Sequence, residues 1–345
     1  MNKAGKLGSF LVAGAVALGT SGCIKKVLLD GQIKSTRTAS AAVNTISDYE
    51  VAKAAAMAGL AQFEGMHFLG PDNEDALFLL TRSWSATGFG FIEDELEQAE
   101  DLYGEDSELA EYHKARAVAA YNRAIFYGTK VLEKRHAGFE DAKKNQDTMK
   151  AWVAQFTSAE DDAPFLFWTA QAWLSKVNLL KDDSAVVGEL HVGVKMIERA
   201  VELDETYNKG SGHVVLGSYH ARTSMAELDD AKKHFERAIE LTKGSNLLAK
   251  YNYASKYFCN KSHDGTEAAD KEGYVKLLDE VVAAGDLDPE QRLPNTIAKR
   301  RARRFLSPER MKQCGFKIEA PAAATAPAAA GDDDDKDEDD KDGED

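Results

Sequence analysis

Apolar residues recur at helical spacing along most of this chain, and one part of the pattern nearly repeats. Glu198-Arg199-Ala200-Val201-Glu202-Leu203 and Glu236-Arg237-Ala238-Ile239-Glu240-Leu241 lie 38 residues apart, each preceded by an apolar stripe. Leu166, Trp173, Val177 and Leu180 step by 7, 4 and 3, and Leu190, Val194, Ile197 and Val201 by 4, 3 and 4, which predicts a pair of amphipathic helices. A second pair follows, with Val215 and Tyr219 on one helix and Leu228, Ala231, Phe235 and Ala238 on the other. Leu248, Tyr251, Ala254 and Tyr257, then Tyr274, Leu277, Leu278 and Val281, make a third. Upstream, helices are expected over 48–66, 73–103 and 107–135, with a helical bridge over 149–156 and a new start at Asp162-Ala163-Pro164. Asp288-Pro289-Glu290-Gln291 has the residues of a capping box and opens a closing segment that Pro294 is expected to bend. Gly88 and Gly90 each cost about 1 kcal/mol relative to Ala inside a helix. Close helix packing is their expected use, and approach to a ligand the alternative.

Self-similarity at a fixed period predicts an all-α fold of stacked antiparallel helix pairs, an α-solenoid that offers partners a concave surface. Ala231, Phe235 and Ala238 stand at the 20, 24 and 27 positions of a tetratricopeptide-type repeat. Gly217, Tyr219 and Ala200 complete the expected packing set, although the period of 38 exceeds the usual 34 and implies longer turns.

Composition changes the picture at the two ends. Lys3 and Lys6 precede an apolar core from Phe10 to Leu18, and Thr20-Ser21-Gly22-Cys23 follows. Residues 1–22 therefore read as a bacterial lipoprotein signal, with Cys23 as the acylated residue. Ile24 after the cysteine favours the outer membrane, by resemblance to such lipoproteins. Residues 23–47 are expected to tether a helical domain over 48–319, followed by an Ala/Pro linker at 320–331 and a disordered acidic tail at 332–345. That tail holds 11 acidic residues against two Lys, so most of the net charge of −15 lies outside the helical body. With Cys23 committed to lipid, Cys259 and Cys314 are free to pair in an oxidising compartment or to remain thiols.

Candidate chemistry is sparse. Gly217-Ser218-Tyr219 lacks the second glycine of a nucleophile elbow, and no Walker-type loop is present, so no enzyme, metal or cofactor is expected. His213 and His220 read as helix-surface histidines. Trp84, Phe89, Phe91, Trp168 and Trp173 are either core or the lining of an apolar pocket. Arg300, Arg301 and Arg304 belong to a basic run that either packs against acidic neighbours or steers an anionic group. Export removes nucleic acid as a partner.

Four segments carry a family resemblance: Leu79 to Trp84 with Gly90 to Glu95; Phe167 to Trp173; Met196 to Asp204 with Gly212 to Gly217; and Phe235 to Tyr253 with Asn295 to Leu306. Together they resemble the T-component of tripartite ATP-independent periplasmic (TRAP) transporters. The resemblance implies a tetratricopeptide-like fold, a ring-like homotrimer, association with a periplasmic solute-binding protein, and a hydrophobic or organic-acid solute. In that setting Trp84, Phe89, Trp168 and Trp173 would desolvate the solute. Glu205, where the repeat turn usually has proline, and the acidic tail depart from the pattern. The alternative is a scaffold lipoprotein for envelope or outer-membrane assembly, with no small-molecule ligand.

Overall fold

Short polar side chains mark where the helices begin. Asp48, Asn73, Ser107, Asn145, Asn246 and Ser307 have extended backbone and accept a hydrogen bond from an N–H two or three residues on. Each such cap is worth about 1 kcal/mol. The computed structural model describes residues 24–222, 227–260 and 267–318. Its helices are α1 (residues 24–39), α2 (Tyr49–Leu69), α3 (Glu74–Thr87), α4 (Glu93–Tyr103), α5 (Glu108–Arg135), α6 (Phe139–Ala142), α7 (Gln146–Val153), α8 (Asp162–Leu179), α9 (Ser184–Gly188), α10 (Leu190–Leu203), α11 (Tyr207–His220), α12 (Leu228–Leu241), α13 (Leu247–Asn252), α14 (Glu267–Ala283), α15 (Arg292–Phe305) and α16 (Pro308–Gln313). No strand occurs among the described residues, so the fold is all-α. The signal, Cys23, the linker and the acidic tail lie outside the described residues.

The repeat is visible in the helices themselves: α10 and α12 begin and end 38 residues apart. Arg199 pairs with Glu202, and Arg237 with Glu240, each at 2.7 Å. Ala200 is 3% exposed, and Ala231, Phe235 and Ala238 are fully buried. α10 packs on α8, and α12 on α11. A Cβ on Gly217 would come 2.9 Å from the Phe235 ring, so this glycine lets α11 and α12 close on the aromatic that fills their interface. Tyr219 is half-buried beneath Arg222, whose guanidinium lies 4.1 Å from its ring centre. The largest core is centred on Leu77, Leu79, Leu80, Leu132, Phe165 and Leu166, from α3, α5 and α8.

Several sequence expectations change here. The stretch expected as a tether is helical over 24–39, and Ile33 within it is fully buried. The helix expected over 73–103 is interrupted by a π-turn at Gly88–Ile92. Within that turn a Cβ on Gly88 would sit 2.8 Å from the Tyr121 ring, and one on Gly90 would sit 3.0 Å from Ile297. Close packing is therefore the use of both glycines. Pro294 does not bend its segment, because it falls in the first turn of α15, where the missing N–H has no helical partner to lose. The stack of pairs also closes on itself. Thr296 donates to the Ser47 carbonyl at 3.1 Å, and α15 packs against α2 and the 3₁₀ turn Ser40–Thr45.

Candidate functional site

Where α10 meets α11 the backbone does something that regular helix does not. Asn208, Lys209 and Gly210 all have positive φ, at 49°, 57° and 70°. Left-handed residues cost roughly 1 to 2 kcal/mol each for non-glycine side chains, so a run of them persists only where neighbours hold it. Asn246 donates to the Lys209 carbonyl at 3.0 Å, and Ser211 Oγ donates to the Asn208 carbonyl at 2.6 Å. The Lys209 ammonium lies 3.1 Å from Asp288 and 3.0 Å from Glu290.

This turn separates two clefts. One, of about 290 Å³, has Thr206, Lys209, Gly210 and Leu241 in its wall. The other, of about 590 Å³, lies between the turn and the 3₁₀ turn, with Ala41, Thr45, Thr206, Asn208 and Gln291 in its wall. Tyr207, between Thr206 and Asn208, accepts a hydrogen bond from Trp168 Nε1 at 3.0 Å and stacks edge-on against Phe167. Burial is the main cause of its raised pKa, against the pull of Trp168, Arg82 and Arg37.

The other sequence-predicted residues do not converge on these clefts. Trp84 is half-buried and donates to Glu64 at 2.9 Å, in a cluster where Arg123 and Tyr127 bind the same carboxylate. Trp173 is 6% exposed and packs in the core near Phe139. Phe91 is buried, while Phe89 is partly exposed beneath Arg301, 4.4 Å from the guanidinium carbon.

The basic run forms an ionic seam between α15 and α4. Arg300 Nε donates to Asp94 at 2.7 Å. Arg304 bridges Asp94 at 2.9 Å and Glu97 at shorter range. Arg301 is 2% exposed and donates to the Phe89 carbonyl at 2.6 Å, with Glu97 and Glu93 at 3.7 and 3.9 Å. Burial raises Glu93 to about 7, even though Arg301 and the Tyr121 hydroxyl that donates to it both pull the other way. These arginines are matched by carboxylates, which is the packed-helix alternative for the run.

His213 is not a surface residue: it is 7% exposed, because Gly212 and Gly217 draw α11 onto its neighbours. Its Nδ1 lies 2.8 Å from Nδ1 of His234, and its Nε2 lies 3.2 Å from Glu205. Glu205 also grips Arg237 at 2.6 Å, which gives the departure from the usual repeat-turn proline a structural use. Cys259 and Cys314 form a disulfide. Among the described residues no cluster of three or more His, Cys, Asp or Glu side chains is arranged to hold a metal ion.

The histidine pair predicts a pH dependence. Burial lowers His213, and burial followed by the charges of His213 and His220 lowers His234 to about 4, with Asp230 opposing and Lys233 adding. A depressed histidine stabilises the fold above its unfolded pKa, near 6.5, and that stability is lost as pH falls towards 4. For His234 the loss is no more than about 3 kcal/mol before solvent screening. Urea melts at pH 7.5 and 4.5 should show it, and a His234→Gln variant should have a flatter profile. An unchanged profile in that variant would remove the histidine pair as its source.

Packed helices, and two clefts beside a left-handed turn, define an all-helical protein among the described residues. The chain belongs to the TRAP transporter T-component (TAtT) family, whose model matches residues 45–311. Among curated proteins no sequence matches it. No described helix is long and apolar enough to cross a membrane.

Sequence reasoning missed Tyr207, His234 and Arg82. A signal for the first was present, because Asn208 and Gly210, which tolerate left-handed backbone better than most residues, follow it.

Proposed function

We propose that this protein is the accessory component of a TRAP-type transport system. In this reading it is held in the bacterial cell envelope, at the outer membrane, by acylated Cys23, acts as a homotrimer, and docks a periplasmic solute-binding protein. It makes and breaks no covalent bond. A hydrophobic or organic-acid solute is desolvated against half-buried aromatics, with Trp168, whose indole N–H donates to Tyr207, as the candidate. The observation that carries the reading is the family match over residues 45–311, which spans every helix from α2 to α15.

The test is co-purification of the mature chain with a TRAP-type solute-binding protein from the same organism, followed by native mass spectrometry. A stoichiometric complex containing three copies of this chain is expected. A folded chain that stays a monomer and leaves the solute-binding protein free at micromolar concentrations of both would overturn the proposal.

A further inference from the structure

The stretch between Cys23 and α2 is not a slack tether. α1 starts at the residue after Cys23 and is fixed to the body. Ile33 is fully buried, and Asn73 Nδ2 donates to Asp30 at 2.7 Å. A Cβ on Gly70, at the end of α2, would lie 3.6 Å from Leu29 and 3.7 Å from Ile33. A flexible chain would let the body stand away from whatever holds Cys23, whereas a helix rises only about 1.5 Å per residue. Along α1, Cys23 is thus about 9 to 15 Å from the α2–α3 turn.

This end of the molecule is apolar on the outside. At about 100° per residue, Ile24, Val27 and Leu28 fall on one face of α1, opposite Ile33. They are 58%, 70% and 68% exposed. Phe68 and Leu69, which end α2 next to Gly70, are 85% and 68% exposed. Single exposed apolar residues are ordinary, but five at one end of a fold mark an interaction surface.

Charge selects what covers it. Lys25, Lys26, Lys34 and Lys130 have no ion pair among the described residues, and Lys130 donates to the Pro71 carbonyl in the α2–α3 turn at 2.9 Å. The carboxylates beside them that lack an ion pair are Asp30 and Asp72, so positive charge is in excess. A second exposed apolar group, Leu102, Tyr103, Leu109 and Tyr112, lies at the α4–α5 turn. It is about 27 Å from Lys130 along α5 and stands among Glu105, Asp106 and Glu108, which an anionic surface would repel. Apolar side chains flanked by free lysines, next to a lipid anchor, match a helix that lies in the headgroup layer of an anionic bilayer.

We propose that the outer face of α1 and the end of α2 seat this protein on an anionic phospholipid bilayer. Ile24, Val27, Leu28, Phe68 and Leu69 enter the headgroup layer, the lysines meet lipid phosphates, and the α4–α5 turn stays in water. From the functional reading the proposal takes only the acylation of Cys23. Its test removes that acylation, so failure of the anchor or of partner docking and failure of the seating face are separate results.

The mature chain carrying Cys23→Ser is co-sedimented with vesicles of phosphatidylcholine alone and of phosphatidylcholine with phosphatidylglycerol. It should bind the phosphatidylglycerol vesicles at millimolar lipid, about fivefold or more tightly than phosphatidylcholine alone. Leu28→Ser with Phe68→Ser should weaken that binding at least tenfold, and Lys25→Gln with Lys26→Gln about tenfold. Leu102→Ser with Tyr112→Ser, at the acidic end, should leave it within about twofold. All six side chains are exposed, and circular dichroism checks each fold. No binding of the folded chain to phosphatidylglycerol vesicles, equal binding to both vesicle types, unchanged binding after Leu28→Ser with Phe68→Ser, or a tenfold loss from Leu102→Ser with Tyr112→Ser would each overturn the assignment.

Discussion

Replacing Arg301 with Met is expected to destabilise this protein by about 3 to 5 kcal/mol, the range for removing one partner of a buried ionic group. The guanidinium caps the Phe89 carbonyl in the π-turn, covers the Phe89 ring and faces Glu93 and Glu97. Met fills similar volume but leaves the Phe89 carbonyl and Glu93 without the guanidinium, while Glu97 keeps Arg304. The thermal midpoint should fall by about 10 °C, given roughly 2 to 4 °C per kcal/mol in a chain of this size. The deficit should also depend on pH. Glu93 is already raised to about 7 by burial, and losing Arg301 raises it further. A carboxyl whose folded pKa lies above its unfolded value destabilises the fold once pH rises through that range, so protonation relieves the variant. The gap between wild type and Arg301→Met should therefore narrow from pH 8 to pH 5. A gap below 1 kcal/mol at pH 8 would mean that the ionic seam does not hold α15 to α4.

Loss of the Cys259–Cys314 disulfide is expected to cost about 4 kcal/mol, on the chain-entropy account of a crosslink spanning 55 residues. The enclosed segment contains α14 and α15, the two helices that with α13 build the second core around Leu247, Tyr251, Tyr274 and Leu278. Reduction thus loosens the segment that closes the stack against α2 and α4. A Cys259→Ser/Cys314→Ser double variant should match reduced wild type in guanidinium melts, and reductant should not change the variant's midpoint. Equal stability of oxidised and reduced wild type would show that packing alone holds the closing helices.

Periodicity recovered α5, α8, α10 and α12 well because their apolar stripes, N-terminal polar residues and following turns agree. Glu108–Arg135 coincides with the expected 107–135 to within a residue. The same reasoning placed a continuous helix over 73–103, since a π-turn adds a residue without altering composition. What forces it is contact of Gly88 with Tyr121 and of Gly90 with Ile297, from helices distant in sequence. The sequence alone predicts an exposed His213 for a similar reason: whether a histidine on a helix is solvated depends on the face that the neighbouring helix covers.

The amino-acid sequence by itself determined the helical class, the 38-residue register of α10 against α12, the packing set at Ala200, Gly217, Ala231, Phe235 and Ala238, and the family. Those features depend on local spacing, which a linear pattern records directly. Only the tertiary structure decided the partners of charge and aromatic groups: Arg300, Arg301 and Arg304 meet α4 about 200 residues upstream, while Arg82 meets no carboxylate among the described residues. Which acid stands beside an arginine is decided by packing, and residue spacing does not encode that distance.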